Sequence, residues 1–283
     1  PGDVVALHAL ARLLQQRGET DQAVELLEKA VQSALHLPGL ASEAASGQAP
    51  STLGLLAPRY GLGESKLPVG AQAAALLACE LGALHEHVAQ SASSPTKAWT
   101  AMEHAVSCYE EALRRDTRCR PAARALVALY RTLQRPTELL AAMARLLPLL
   151  RDDGQRLALL LEIGQGASER AATGQDSTEV VEYATEQAIN AFTEALAIEP
   201  GHPGALARLI SLCQHGGRWS LLAETLERAP QTPAILAALR EAYENLGQPA
   251  DVARVREKEL GQLTDRNELI AAARALAELY QRL

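Results

Sequence analysis

An all-α solenoid of stacked helix–turn–helix hairpins is the fold this sequence predicts, on three observations. The apolar content of 48% is carried by Ala and Leu, with only 3% aromatic residues. These are helix formers, while the β-branched and aromatic strand formers are scarce. Apolar residues recur at helical spacing in successive segments divided by turns. One hairpin template then recurs six times down the 283 residues. Helices rich in small side chains pack closely, and this composition argues against a sandwich, a barrel or a doubly wound sheet.

The first hairpin, Asp3 to Leu35, sets the template. Its apolar residues keep helical spacing on both sides of Gly18, so it reads as two amphipathic helices joined by a tight turn. Gly18 is the expected C-cap of the first helix, and Thr20 or Asp21 the expected N-cap of the second. Ala11 and Ala23 are small where the helices would cross, which permits a close approach.

These residues resemble the tetratricopeptide repeat, a helix–turn–helix unit of about 34 residues. In that family's pattern Leu7, Leu10, Ala11 and Leu14 take the marked places of the first helix. Gly18 takes the turn, and Ala23, Leu27 and Ala30 those of the second helix. A second match begins at Leu81-Gly82 and is completed by Ala105, Tyr109 and Ala112. Leu126 and Tyr130 open a third, with Leu139, Met143 and Leu146 on its second helix. Ile163-Gly164 opens a fourth, closed by Ala188, Phe192, Ala195 and Pro200, the clearest match of all. The fifth runs from Leu206 and Leu209 through Gly217 and Trp219 to Leu222 and Leu226. The sixth carries Leu236, Leu239, Tyr243 and Gly247, then a poorly matching second helix around Val252 and Val255.

The array departs from the pattern in places, which leaves related α-solenoid repeats open as names for the same architecture. Leu139 and Leu222 stand where a small residue should open the second helix, predicting looser hairpins there. In the second and fourth units about a dozen extra residues, 90–100 and 172–185, enlarge the hairpin turn, as longer helices or as a looped insertion. The implied organisation is a first repeat over 1–37 and a Pro/Gly-rich insertion over 38–70. Five further, partly degenerate repeats follow over 71–266, then a terminal helix over 267–283. Pro1-Gly2-Asp3 reads as an inter-repeat turn, so the chain is expected to be cut from a longer array, or to be capped by its last helix. The resemblance implies a right-handed superhelix in which hairpins stack because none buries its apolar face alone.

The insertion holds Pro38, Pro50, Pro58 and Pro68 with six glycines between Leu37 and Gly70, which precludes one continuous helix. Its composition is that of a linker with one apolar patch. Leu53, Leu55, Leu56 and Tyr60 form that patch, a docking candidate for the chain's own surface or for a partner.

No enzyme chemistry is legible. Glu25, Glu110 and Glu111 have Arg or Lys three or four positions on, and Glu28 is followed directly by Lys29, the pattern of solvated faces with weak ion pairs. No nucleophile-elbow, metalloprotease or phosphate-loop motif is present, and Gly61-Leu62-Gly63 follows no strand. His85 and His87 point about 200° apart on a helix, so they cannot share an ion. His104 and Cys108 share a face, yet no further ligand is visible and no metal or cofactor is expected. His8, His36, His202 and His215 are scattered and most read as turn or surface residues, and the four cysteines as small core residues. The net charge of −7 without a block of like charge points away from nucleic acid, and no apolar run approaches membrane-spanning length. The cysteines, without paired spacing, fit the cytoplasm, the periplasm remaining open. Abundant Ala and Arg with Lys only at 29, 66, 97 and 258 match a GC-rich bacterial coding sequence.

Surface is what such an array offers. In the family it resembles, the first helix of each hairpin lines a concave groove. The inward positions are His8, Arg12, Gln15, Arg124, Arg131, Gln165, Arg208 and Ser211. Four arginines there suit carboxylates, which guanidinium binds through paired N–H groups, so a partner with an acidic segment is expected. The family's carboxylate clamp of Asn and Lys is not carried over, because Arg12, Ala83, Ala128, Gln165, Ser211 and Glu241 occupy the Asn place. Trp99 is a further contact candidate, and Trp219 is expected to pack in its turn. The function implied is a non-catalytic scaffold that binds a protein or peptide. A self-associating spacer and a small-ligand sensor are the alternatives.

Overall fold

The structure, a computed structural model, describes residues 4–34, 69–173 and 177–282. Among them are thirteen α-helices and no strand. They fall into two compact units, 1–149 and 150–283.

The first unit comprises α1 (Val4–Arg17), α2 (Thr20–Ala34), α3 (Val69–Ser91), α4 (Pro95–Arg115), α5 (Arg120–Thr132) and α6 (Pro136–Leu146), followed by a 3₁₀ turn over Leu147–Leu149. Helices α1/α2, α3/α4 and α5/α6 pair as hairpins. Helix α2 buries Ala23, Leu27, Ala30, Val31 and Ala34, the i, i+4, i+7 stripe read from sequence. Helix α3 is buried nearly all round from Gln72 to Cys79, which explains its Ala-rich run: α2 packs on it from one side and α4 from another. It begins at Val69, so Val69 and Gly70, assigned to the insertion by composition, are helical. The remainder of the insertion lies outside the described residues.

The second unit comprises α7 (Asp153–Ala172), α8 (Thr178–Ile198), α9 (Pro203–Gly216), α10 (Trp219–Glu227), α11 (Pro233–Asn245), α12 (Pro249–Gln262) and α13 (Arg266–Arg282). Its core runs through Phe192, Leu209, Leu222, Leu226, Leu236, Leu239 and Val255, each at most 2% exposed. Each such side chain contributes about 1.5–3 kcal/mol by leaving water. Leu222, expected to loosen its hairpin, is fully buried, and Leu139 is half-buried.

The extra residues of the second and fourth hairpins are spent on helix length. Helices α3 and α4 reach 23 and 21 residues and are joined across Ala92–Ser94, with Ser94 Oγ accepting from the Lys97 N–H at 3.3 Å. Helices α7 and α8 reach 20 and 21 residues. Proline opens α4, α6, α9, α11 and α12, where its missing N–H costs nothing.

Helices α1, α5, α9 and α11 end alike. A residue with positive φ follows the last turn, its N–H bonds three residues back, and the next N–H bonds five residues back. Gly18 fills the positive-φ place after α1 as expected. Glu19, rather than Thr20 or Asp21, then starts α2, its carbonyl accepting from the Ala23 N–H at 3.2 Å. After α5 the place is held by Gln134 at φ 53°. A side chain there costs about 1–2 kcal/mol, so Gln134→Gly is expected to raise stability by roughly 1 kcal/mol. A urea midpoint unchanged or lowered in that variant would contradict this.

A second recurring device joins successive hairpins. Tyr130 of α5 donates to Glu110 of α4 at 2.7 Å, Tyr243 of α11 to Glu227 of α10 at 2.5 Å, and Tyr280 of α13 to Glu257 of α12 at 2.7 Å. Glu110 is therefore an inter-repeat acceptor, more than the solvated face residue read from sequence. At Tyr243, burial and Glu227 push the phenol up to about 12. The hydrogen bonds from Tyr243 and Arg254 lower the Glu227 carboxyl in return.

Candidate functional site

The first turns of the chain build the most distinctive polar arrangement of the first unit. On α1, His8, Arg12 and Gln15 are spaced i, i+4, i+7 and share one face. Helix α3 presents Glu80 to that face. One Glu80 oxygen meets His8 Nε2 and the other accepts from Arg12 at 3.3 Å. The His8 and Glu80 side chains are each 12% exposed, whereas Arg12 is 43% exposed. The carboxylate is thus held deep and the guanidinium reaches solvent.

Beside this triad lies a pocket of about 320 Å³, lined by Arg12, Gln15, Gln16 and Glu80 over a floor of Ala11, Leu27 and Ala83. Its apolar floor and ring of amide, guanidinium and carboxylate groups suit a polar side chain or the backbone of an extended segment.

The structure thus brings His8, Arg12 and Gln15 together. It also gives Arg12 a carboxylate of its own chain. Arg124 and Arg131 are exposed on one face of α5, seven residues apart, and each takes part in interactions within the chain. In the second unit, Gln165 is exposed and donates to Glu169 at 2.9 Å. Arg208 and Ser211 are exposed on α9, and the Ser211 carbonyl meets His215 Nδ1 at 2.7 Å. Leu53, Leu55, Leu56 and Tyr60 lie outside the described residues, as does His36. Trp99 is 50% exposed near the start of α4, and Trp219 packs half-buried against the core of its unit.

Sequence reasoning missed Glu80 and Gln16. Gln16 follows Gln15 and was within reach of a helical-wheel reading. Glu80 had no local signal, since its pairing with α1 depends on how α3 docks. The reading of His8 as a surface or turn residue needs correction, while His202 does lie in the turn before α9. His8 is tied to Glu80, and His202 is the N-cap of α9, its Nδ1 accepting from the Ala205 N–H at 3.2 Å.

Metal-ligating types cluster weakly. His85 and His104 rings stand edge to face with centroids 5.3 Å apart, and burial followed by the nearby His104 lowers the His85 pKa. Among the described residues no group of three or more His, Cys, Asp or Glu is arranged to hold an ion. No described helix is long and apolar enough to cross a membrane.

Comparison with known proteins agrees with the resemblance read from the residues. Residues 6–41 match the family model described as tetratricopeptide repeat, so the first hairpin is of that type. No curated protein matches the sequence. Among solved structures, a thermophilic tetratricopeptide repeat protein of Thermus thermophilus is 18% identical, with 72% of this chain and 99% of that one covered and a TM-score of 0.31. The MamA protein is 15% identical, with 64% and 90% covered and a TM-score of 0.33. A tetratricopeptide repeat protein from Parabacteroides merdae ATCC 43184 is 11% identical, with 97% and 99% covered and a TM-score of 0.36.

Proposed function

We propose that this helical-repeat chain is a non-catalytic scaffold that holds a peptide or protein partner on the first-helix faces of its hairpins, in the cytoplasm. The observation that carries the reading is the α1–α3 pocket. Arg12, Gln15 and Gln16 remain available at its rim while Glu80 and His8 brace the guanidinium from beneath. A preorganised polar rim over a small apolar floor is what an extended segment with an acidic or amide side chain would use. Arg124 and Arg131 on α5, and Arg208 on α9, extend the same chemistry within their own units.

The test is a pull-down from bacterial lysate with the native chain beside an Arg124/Arg131/Arg208→Glu, Gln15→Trp variant. Arg12 is left in place because it holds Glu80. A partner retained by the native chain and lost by the variant, with helicity unchanged, supports the groove scaffold. Equal capture by both moves the site to Leu53–Tyr60 or to other surfaces. No capture, together with concentration-dependent light scattering, favours the self-associating spacer.

A further inference from the structure

We propose that His85 of α3 and His104 of α4 form a two-histidine chelate for a zinc ion, which staples the two long helices of the second hairpin together. The two rings stand edge to face, with centroids 5.3 Å apart and planes at 73°. They come from the two paired helices of one hairpin. His104 is exposed and His85 half-buried, so an ion can reach the pair from solvent. In the sequence His104 lacked a second histidine, since His85 and His87 cannot share an ion on their own helix. The docking of α3 on α4 supplies it.

The spacing of the rings suits zinc. Zinc binds an imidazole nitrogen at about 2.0–2.1 Å, which places the ion about 3.2 Å from the ring centroid. Two centroids 5.3 Å apart then subtend about 110° at the ion, the tetrahedral angle that zinc adopts. The right angle of a square-planar copper(II) site would need the centroids closer, at about 4.5 Å. Aiming both nitrogens at a common point takes only rotation of the outer histidine torsions, which are broad.

Water completes the coordination, because the neighbouring side chains are engaged or misdirected. Glu86 accepts from Tyr109 at 2.6 Å and Glu103 from Arg135 at 2.5 Å. His87 points about 200° away from His85 around α3. Cys108 lies one turn beyond His104, but burial first, then Glu28 and Glu111, push its thiol up to about 11, so it offers no thiolate. Two imidazoles and two waters leave the site open, unlike a closed four-ligand structural site, and suit reversible loading. Zinc held this way bridges α3 and α4 in the folded chain only, so it should raise the melting temperature.

The experiment titrates zinc chloride into the EDTA-stripped full-length chain, with calorimetry for stoichiometry and NMR of the histidine ring signals for location. One zinc per chain should bind, shifting the His85 and His104 signals while those of His202 and His215 stay in place. EDTA should reverse the change. His85→Ala and His104→Ala should each weaken binding by more than about tenfold, since even outer-shell partners of zinc ligands are worth about 10–100-fold. His87→Ala should bind as the native chain does, and circular dichroism checks that each variant keeps its helices. No zinc-dependent shift of either ring, or undiminished binding in His104→Ala, overturns the proposal. So does loss of binding in His8→Ala, which would place the ion at the His8–Glu80 pair instead. The ring signals of the native chain decide the matter even where a variant fails to fold.

Discussion

Phe192→Ala is expected to lower stability by about 3–5 kcal/mol, the loss typical of deleting a buried ring. Phe192 is 2% exposed and is the chain's one phenylalanine. Its ring lies against the backbone of α7 at Gly164, where an added Cβ would stand 2.7 Å from a ring carbon. The contact works in both directions, since the ring fits only because no side chain is there. Gly164→Ala is accordingly expected to cost about 1–3 kcal/mol by overpacking, despite alanine's better helix propensity. The two changes share one space, so Gly164→Ala combined with Phe192→Leu should cost clearly less than the sum of the single variants. Urea unfolding followed by circular dichroism measures each of these proteins. Strict additivity would mean that ring and glycine do not meet. The same geometry recurs in the first unit, where a Cβ at Gly82 would approach the Tyr109 ring to 2.8 Å.

Glu80→Ala should carry the second largest effect. Removing this carboxylate leaves the largely buried His8 ring without its partner, at about 1.5–3 kcal/mol for a hydrogen bond to a charged group. The Arg12 contribution is smaller, below about 1 kcal/mol, because that guanidinium is 43% exposed and water screens it. Glu80→Gln should keep part of the stability by retaining an acceptor for His8. The stability of Glu80→Ala, His8→Ala and the double variant, taken as a cycle, separates the His8 contribution from the rest. A loss below about 0.5 kcal/mol in Glu80→Ala would show that the triad does not anchor α1 to α3. It would also remove the brace that the proposed binding pocket relies on.

Helix periodicity and turn chemistry were legible because they are local. Of the positions matched to the repeat pattern, Ala105, Tyr109, Ala188, Phe192 and Ala195 are buried where two helices approach, and small or aromatic residues there fit a short interhelical distance. Gly18, Gly217 and Gly247 announced three helix ends through the one conformation that glycine enters freely. The fourth end, at Gln134, had no such marker, because surrounding structure holds a glutamine there against its preference.

What the sequence by itself determined is therefore the type of element, its buried stripe and the recurring hairpin, all set by contacts within a few turns. Whether the surplus of residues in the second and fourth hairpins became loop or helix was decided by packing, since longer helices bury more apolar surface against each other. Only tertiary structure brought Glu80 under Arg12, 68 positions away, and matched Tyr130, Tyr243 and Tyr280 to their glutamates. Each of these depends on how one helix is rotated and shifted against another. A residue's own neighbours in the chain fix its face on the helix but not what that face will meet.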